Sequence, residues 1–198
     1  TELGLRGIPN ISESINLYRD IEILSYSGGK IHIPYVTTSK GVDLIREAKK
    51  NNLDITASVS LAHITFSEKD IPEFDTNFKL IPPLRSESDL NSLKEGLVDG
   101  TIDYLTSMHE PFDIDNKKNV FDNASSGSIG LESMFGLMSN QFTLEKTIDI
   151  LTRKKIIFEV DDHPIEIGSL ADISLFNPDK NYDFSEDIYS QRLKTVHL

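Results

Sequence analysis

The sequence predicts an α/β chain built on a parallel sheet, and three observations carry that reading. Short β-branched runs alternate with stretches whose apolar residues recur at helical spacing. The alternation persists over roughly 100 residues, the pattern of successive βα units. Hydrophobic residues make up 38% and charged residues 26% of the 198, the mix of a chain that buries a sizeable core.

Taken in order, residues 12–24 (SESINLYRDIEIL) set Ile15, Leu17, Ile21 and Leu24 on one helical stripe behind serines suited to capping, with an end near Gly28-Gly29. Residues 30–37 (KIHIPYVT) read as a strand. A helix follows over 39–50, where Val42, Leu44, Ile45 and Ala48 recur at helical spacing. The pattern repeats with a strand over 53–64, a short strand over 80–84 that carries two prolines, a helix over 86–98 and a strand over 101–106. Residues 108–130, polar and holding Pro111 and Gly127, read as a long functional or mobile loop. Helices are expected around 129–138 and 143–154, the second capped by Thr143. Beyond them Ile165, Ile167, Ile173 and Leu175 alternate around Gly168, which predicts short β structure outside the βα region. A closed (β/α)8 barrel needs about 250 residues, so four βα units amount to half of one, with both edge strands unpaired.

Composition excludes several function classes. Twenty Lys and Arg against 32 Asp and Glu give a net charge of −12. Such a surface repels phosphate backbones and anionic lipid, so neither nucleic acid nor a membrane is an expected partner. The absence of cysteine removes a disulfide framework, a thiolate zinc site and a cysteine nucleophile. No apolar run approaches the roughly 20 residues that span a bilayer, and Thr1 to Gly4 show no signal pattern, so the expected location is cytoplasmic. The acidic stretch 113–122 (DIDNKKNVFD) lacks the glycine and glutamate of a calcium loop and reads as a solvated loop. No glycine-rich phosphate loop, G-x-S-x-G elbow or H-E-x-x-H helix is present.

Eight segments in order point to one family: GIP at 7–9, HIPYVTT at 32–38, LIREAKK at 44–50, TASVSLAHI at 56–64, DTNFKLIPPLR at 75–85, EGLVDGTIDYLTSMHEP at 95–111, SIGLES at 128–133 and GSLADISLFNPD at 168–179. Together they resemble the dihydroorotase family of the amidohydrolase superfamily over nearly the whole chain. The resemblance implies the second half of a distorted (β/α)8 TIM barrel, strands five to eight, over residues 1–155. Residues 156–198 would then form part of a small β-sandwich and a C-terminal segment. An N-terminal barrel half, which in the family brings an H-x-H metal pair and a bridging lysine or aspartate, would complete the fold.

The family's chemistry uses one or two zinc ions to activate water and polarise a ring amide, with an aspartate that ligates metal and shuttles the proton. By the resemblance, Tyr35 stands where the family has the strand-five histidine, and Ala62 stands where it has the first imidazole of strand six. Met108 takes the place of the catalytic aspartate; a thioether carries no proton and offers zinc no hard oxygen. In the substrate pocket Ile81 replaces an asparagine and Phe112 a histidine, while Arg85 is retained. Five replacements at functional positions imply a catalytically silent homologue in pyrimidine biosynthesis, a scaffold or regulator with no catalytic residue and no cofactor. The alternative is a zinc-dependent dihydroorotase or cyclic amidohydrolase whose missing half supplies ligands that His63, His109 and Glu110 complete.

Arg85 reads either as an anion-binding residue or as the partner of Glu87 or Asp89. His32 reads as a satisfied strand-five histidine, and His163 and His197 have no partner spacing. Expected partners are the N-terminal barrel half, a second copy of the chain and, by family analogy, aspartate transcarbamoylase.

Overall fold

The structure, a computed structural model, describes residue 4 and residues 7–153, 165–171 and 173–180. Contacts divide the chain into two compact units, Thr1–Val160 and Asp161–Leu198. In the first, three parallel strands lie in the order β1 (Ile31–Ile33), β2 (Ile55–Ser60), β3 (Tyr104–Thr106). The register pairs Ile31 with Ile55 and Ser58 with Tyr104. Before β1 comes α1 (Asn10–Ser27), between β1 and β2 α2 (Ser39–Lys50), and after β2 the short α3 (Leu61–Thr65). The helix leading into β3 is α4 (Glu87–Asp99). After β3 follow the single turn α5 (Ile114–Lys117), then α6 (Met134–Gln141) and α7 (Leu144–Thr152).

The core sits between the sheet and its helices. Ala57 and Val59 of the central strand are fully buried, and Val42 and Ile45 of α2, Leu93 and Leu97 of α4, Ile102, Met138 and Ile150 close over the same cluster. Each of these side chains larger than alanine contributes about 1.5–3 kcal/mol by leaving water. Caps fix the helix starts: the side chains of Thr38, Ser86 and Thr143 accept the backbone N–H of Gly41, Asp89 and Lys146.

Several expectations are corrected. The strand predicted over 53–64 stops at Ser60, because that hydroxyl accepts the N–H of His63 and turns the chain into α3. Residues 80–84 form no strand, since Pro82 and Pro83 have no N–H to give a ladder. The described sheet therefore has three strands rather than four. Pro34 similarly ends β1 after Ile33. Ile15 is 60% exposed, because Leu17, Ile21 and Leu24 define the buried face of α1 and Ile15 lies well round the helix from them. Residues 108–130 form the expected long loop apart from the single turn α5, and it is tied down. Lys117 Nζ donates to the carbonyls of Thr76 (3.0 Å) and Gly127 (2.6 Å), Lys79 Nζ donates to those of Asp122 (3.0 Å) and Ala124 (2.7 Å), and His109 bridges to Ser128. The helix expected from 129 begins at Met134.

In the second unit, residues 165–171 and 173–180 form bends and turns with no strand among them, and Ile165, Ile167, Ile173 and Leu175 are exposed. The expectations for residues 156–164 and 181–198, with His163 and His197, lie outside the described residues. No helix among the described residues is long and apolar enough to cross a membrane.

Leu97 tests the core. It is fully buried, so Leu97→Ala is expected to cost about 2–5 kcal/mol in a denaturant titration. A loss below about 1 kcal/mol would contradict its placement beneath the sheet.

Candidate functional site

The chemistry-bearing residues collect where the strands end. Directly after β1, the N-terminus of α2 offers unsatisfied N–H groups, and Glu13, from the first turn of α1, receives them. Its carboxylate accepts the N–H of Thr37 at 3.1 and 3.2 Å, the N–H of Thr38 at 3.0 Å and the Thr38 hydroxyl at 2.8 Å. The Thr37 hydroxyl donates to the same carboxylate. Gly41 makes room: a Cβ there would stand 2.5 Å from Glu13 Oε1. Arg85, 8% exposed, closes the arrangement by donating from Nε to Thr37 Oγ1 (3.1 Å) and from Nη1 to the Ile8 carbonyl.

Asp89 repeats this device one helix along. It is buried, accepts the Ser39 N–H (2.8 Å) and the Ser86 hydroxyl (2.6 Å), and receives Asn10 Nδ2 (3.2 Å). Burial pushes its carboxyl upward, but the Ser39 N–H and the Ser86, Ser39 and Asn10 side chains outweigh it and hold the group below its ordinary value.

His63 stands in the first turn of α3, 2% exposed. Nε2 lies 3.0 Å from the Pro82 carbonyl, which can only accept, so Nε2 carries the proton. Nδ1 then accepts from Ser60 Oγ at 2.6 Å, and both ring nitrogens are engaged. Burial drives its pKa down to about 4, ahead of the opposing hydrogen bonds to Pro82 and Pro83, with the Arg85 charge adding to the fall.

Tyr35 follows β1 with φ 55°, and Met108 follows β3 with φ 46°. Both hold the left-handed backbone that costs a side-chain-bearing residue energy and that clusters at functional sites. Met108 is buried, Ala62 half-buried, Ile81 62% exposed and Phe112 exposed. A Cβ at Gly127 would stand 2.7 Å from Phe112 Cε2, so the loop packs the ring against bare backbone. Glu110 is exposed and its N–H bonds the Ser128 carbonyl; His109, also exposed, accepts the Leu131 N–H at 3.4 Å. Among the described residues no three His, Asp or Glu side chains gather as a metal-binding group, so His63, His109 and Glu110 are not brought together. The described residues do not by themselves form a donor set that fits zinc.

Neither expected partner of Arg85 pairs with it directly. Glu87 lies 3.4 Å from Lys69, and Asp89 is taken up by the helix starts. The carboxylate facing Arg85 through Thr37 is Glu13, which sequence reasoning missed because it lies 72 positions upstream; an acid one turn into a helix was the only signal. His32 is exposed, yet both ring nitrogens have partners: Nδ1 meets Thr56 Oγ1 at 2.8 Å, and Nε2 meets Tyr104 OH at 3.0 Å and Ser58 Oγ at 3.2 Å. A groove of about 350 Å³ runs between α1 and the outer edge of β1, with Glu13, Asn16, His32, Tyr35 and Arg85 among its walls.

Comparison with solved structures assigns the fold. The chain superposes on an L-hydantoinase from Arthrobacter aurescens with a TM-score of 0.71 at 21% identity, over 81% of this chain and 38% of that one. A dihydroorotase from Saccharomyces cerevisiae, solved with 5-fluoroorotic acid, gives 0.65 at 18% identity, over 80% of this chain and 47% of that one. The fold is therefore of the α/β type found in the amidohydrolase barrel enzymes. In sequence the chain is 36% identical over 200 residues to a dihydroorotase of Listeria monocytogenes, 98% of this chain and 47% of that protein. It is also 36% identical over 205 residues to one of Caldanaerobacter subterraneus, 99% of this chain and 47% of that protein. No family model matches. The chain is a homologue of the dihydroorotases and spans about half the length of the curated relatives it matches.

Two measurements check the site. Glu13→Ala strands the N–H groups of Thr37 and Thr38 and removes the charge facing Arg85, so a loss of about 2–3 kcal/mol is expected in denaturant titration. An unchanged midpoint would sink the network. For His63 the folded pKa of about 4 lies below the ordinary 6.5 of the unfolded chain, so between those values the unfolded state binds more protons. Its contribution is complete above pH 6.5 and is lost toward pH 4, on the order of 3 kcal/mol. His63→Gln should flatten that window, while the Asp89 contribution falls only below its ordinary carboxyl range.

Proposed function

We propose that the chain is a dihydroorotase-like component of pyrimidine biosynthesis that keeps the family scaffold without the family's zinc chemistry, and that it serves as a scaffold or regulatory homologue in the cytoplasm. Met108 carries this reading. It lies in the left-handed conformation beyond β3, buried, in the place where the family resemblance puts the aspartate that ligates metal and moves the proton. Tyr35 has the same backbone in the place of the strand-five histidine. A phenol is a poorer zinc ligand than a neutral imidazole, and a thioether cannot shuttle a proton.

In this reading residues 1–155 form one half of a barrel and residues 156–198 contribute to a small β-sandwich. A complementary N-terminal half completes both. A second copy of the chain and, by analogy, aspartate transcarbamoylase are the further partners. Support comes from the coverage of the relatives, since about half of each lies outside the match.

The test is metal content by elemental analysis, with dihydroorotate hydrolysis assayed on the same sample of this chain combined with its N-terminal half. Less than about 0.1 zinc per chain and no turnover are expected. Stoichiometric zinc with turnover would overturn the proposal in favour of a working cyclic amidohydrolase, with His63, His109 and Glu110 as the next residues to mutate. The combined variant Tyr35→His, Ala62→His, Met108→Asp is expected to gain zinc where the parent takes none.

A further inference from the structure

We infer that two loops at the strand ends, residues 73–81 and 110–122, form a docking face for a basic, apolar-tipped protein segment, over positions that the resemblance assigns to substrate contacts. The inference deepens the scaffold reading and rests on it, since Ile81 and Phe112 stand, by the resemblance, in place of a substrate-pocket asparagine and histidine.

The loops are latched into one element. The Thr76 hydroxyl donates to the Lys117 carbonyl at 2.6 Å, and Lys117 Nζ donates back to the Thr76 carbonyl at 3.0 Å. The Gly127 N–H donates to the Lys79 carbonyl at 2.9 Å, while Lys79 Nζ reaches the Asp122 and Ala124 carbonyls. The bond between His63 and the Pro82 carbonyl sets the first loop beside the end of β2, and the second follows β3. A surface tied down in this way loses little freedom when a partner settles on it.

What the loops present is apolar. Phe74, Ile81, Phe112, Ile114 and Val120 are 49, 62, 39, 61 and 64% exposed. Single exposed apolar side chains are ordinary, whereas five on two latched loops make a surface of the kind that binds protein. Phe74 also holds left-handed backbone, φ 64°, directly after Glu73 at φ 24°. Such backbone costs a side-chain-bearing residue energy, and here it presents an exposed ring.

Charge selects the occupant. Lys79 and Lys117 spend their ammonium groups on carbonyls within the pair of loops and their connection, so the exposed Glu73, Glu110, Asp115 and Asp122 face Lys118 as the exposed lysine of these segments. A second copy of the chain would bring the same acids against these, and nucleic acid is repelled likewise. A segment in which lysine or arginine alternates with large apolar side chains complements both the acids and the apolar tips.

The experiment takes this chain combined with its N-terminal half and titrates a synthetic peptide of three Lys-Leu-Arg-Phe repeats, followed by fluorescence anisotropy and hydrogen exchange. Half-saturation at about 10–100 µM is expected, with exchange slowed in 73–81 and 110–122. Peptides with glutamate for every basic residue, or serine for every leucine and phenylalanine, should bind at least about tenfold more weakly. Ile114→Ser with Val120→Ser, two exposed side chains outside the core, should weaken binding about tenfold and leave the melting curve unchanged. Ile81→Asn with Phe112→His, which restores the family's side chains, should weaken it as well. Four results would overturn the face: no binding at about 1 mM, protection confined to other segments, a serine peptide that binds as tightly as the parent, or self-association of the chain that Ile114→Ser with Val120→Ser abolishes. Zinc and turnover in the same sample would sink the proposed silence, while the peptide titration decides the face by itself.

Discussion

The Glu13 carboxylate at the start of α2 is the contact on which the rest of this α/β fold depends. It joins α1 to the turn after β1 and, through the Thr37 hydroxyl, to Arg85 at the end of the segment that leads into α4. Physical chemistry favours this place. A helix N-terminus presents N–H donors and a partial positive charge, and a guanidinium nearby adds a full one. Gly41 is the steric condition, since any side chain there would occupy the volume of the carboxylate. Asp89 joins Asn10, Ser39 and Ser86 in the same way, so the starts of three helices are tied on one side of the sheet.

The opposite end of the sheet is fixed by another carboxylate. Asp103 accepts the Ala57 N–H at 2.7 Å and Lys49 Nζ at 2.8 Å, while its own N–H bonds the Ala57 carbonyl. Strand β2 is thereby held to the entry of β3 before the apolar layer takes over. With both ends pinned, the residues that follow the strands can take costly conformations. Tyr35 and Met108 sit in left-handed backbone because their surroundings over-determine it. Chemistry at those positions depends on side-chain identity, whereas the backbone that presents them belongs to the scaffold.

Helices α2, α4 and α7 were legible almost to the residue, since local signals define them: a hydroxyl cap, an apolar stripe, and a glycine beyond the end of α4. Three strands were placed correctly but drawn too long, while the strand expected over 80–84 does not form. Their ends are set by Pro34 and by the Ser60 cap, which compete with the ladder for the same backbone groups. The ties of the loop over 108–130 were not legible, because they are lysines bonding carbonyls up to 45 positions away.

What the sequence determined by itself was the class of fold, the family and the identity of the side chains at the strand ends. Each is written in residue type and local order. The tertiary structure alone decided that Arg85 turns to Thr37 and Glu13 rather than to its neighbour Glu87, and that His63 is consumed by Ser60 and Pro82. It also decided that α1 turns Ile15 away from the core. A polar or apolar group takes the partner nearest to it in space, and for Arg85 that partner, Thr37, lies 48 positions away, across the crossover between parallel strands.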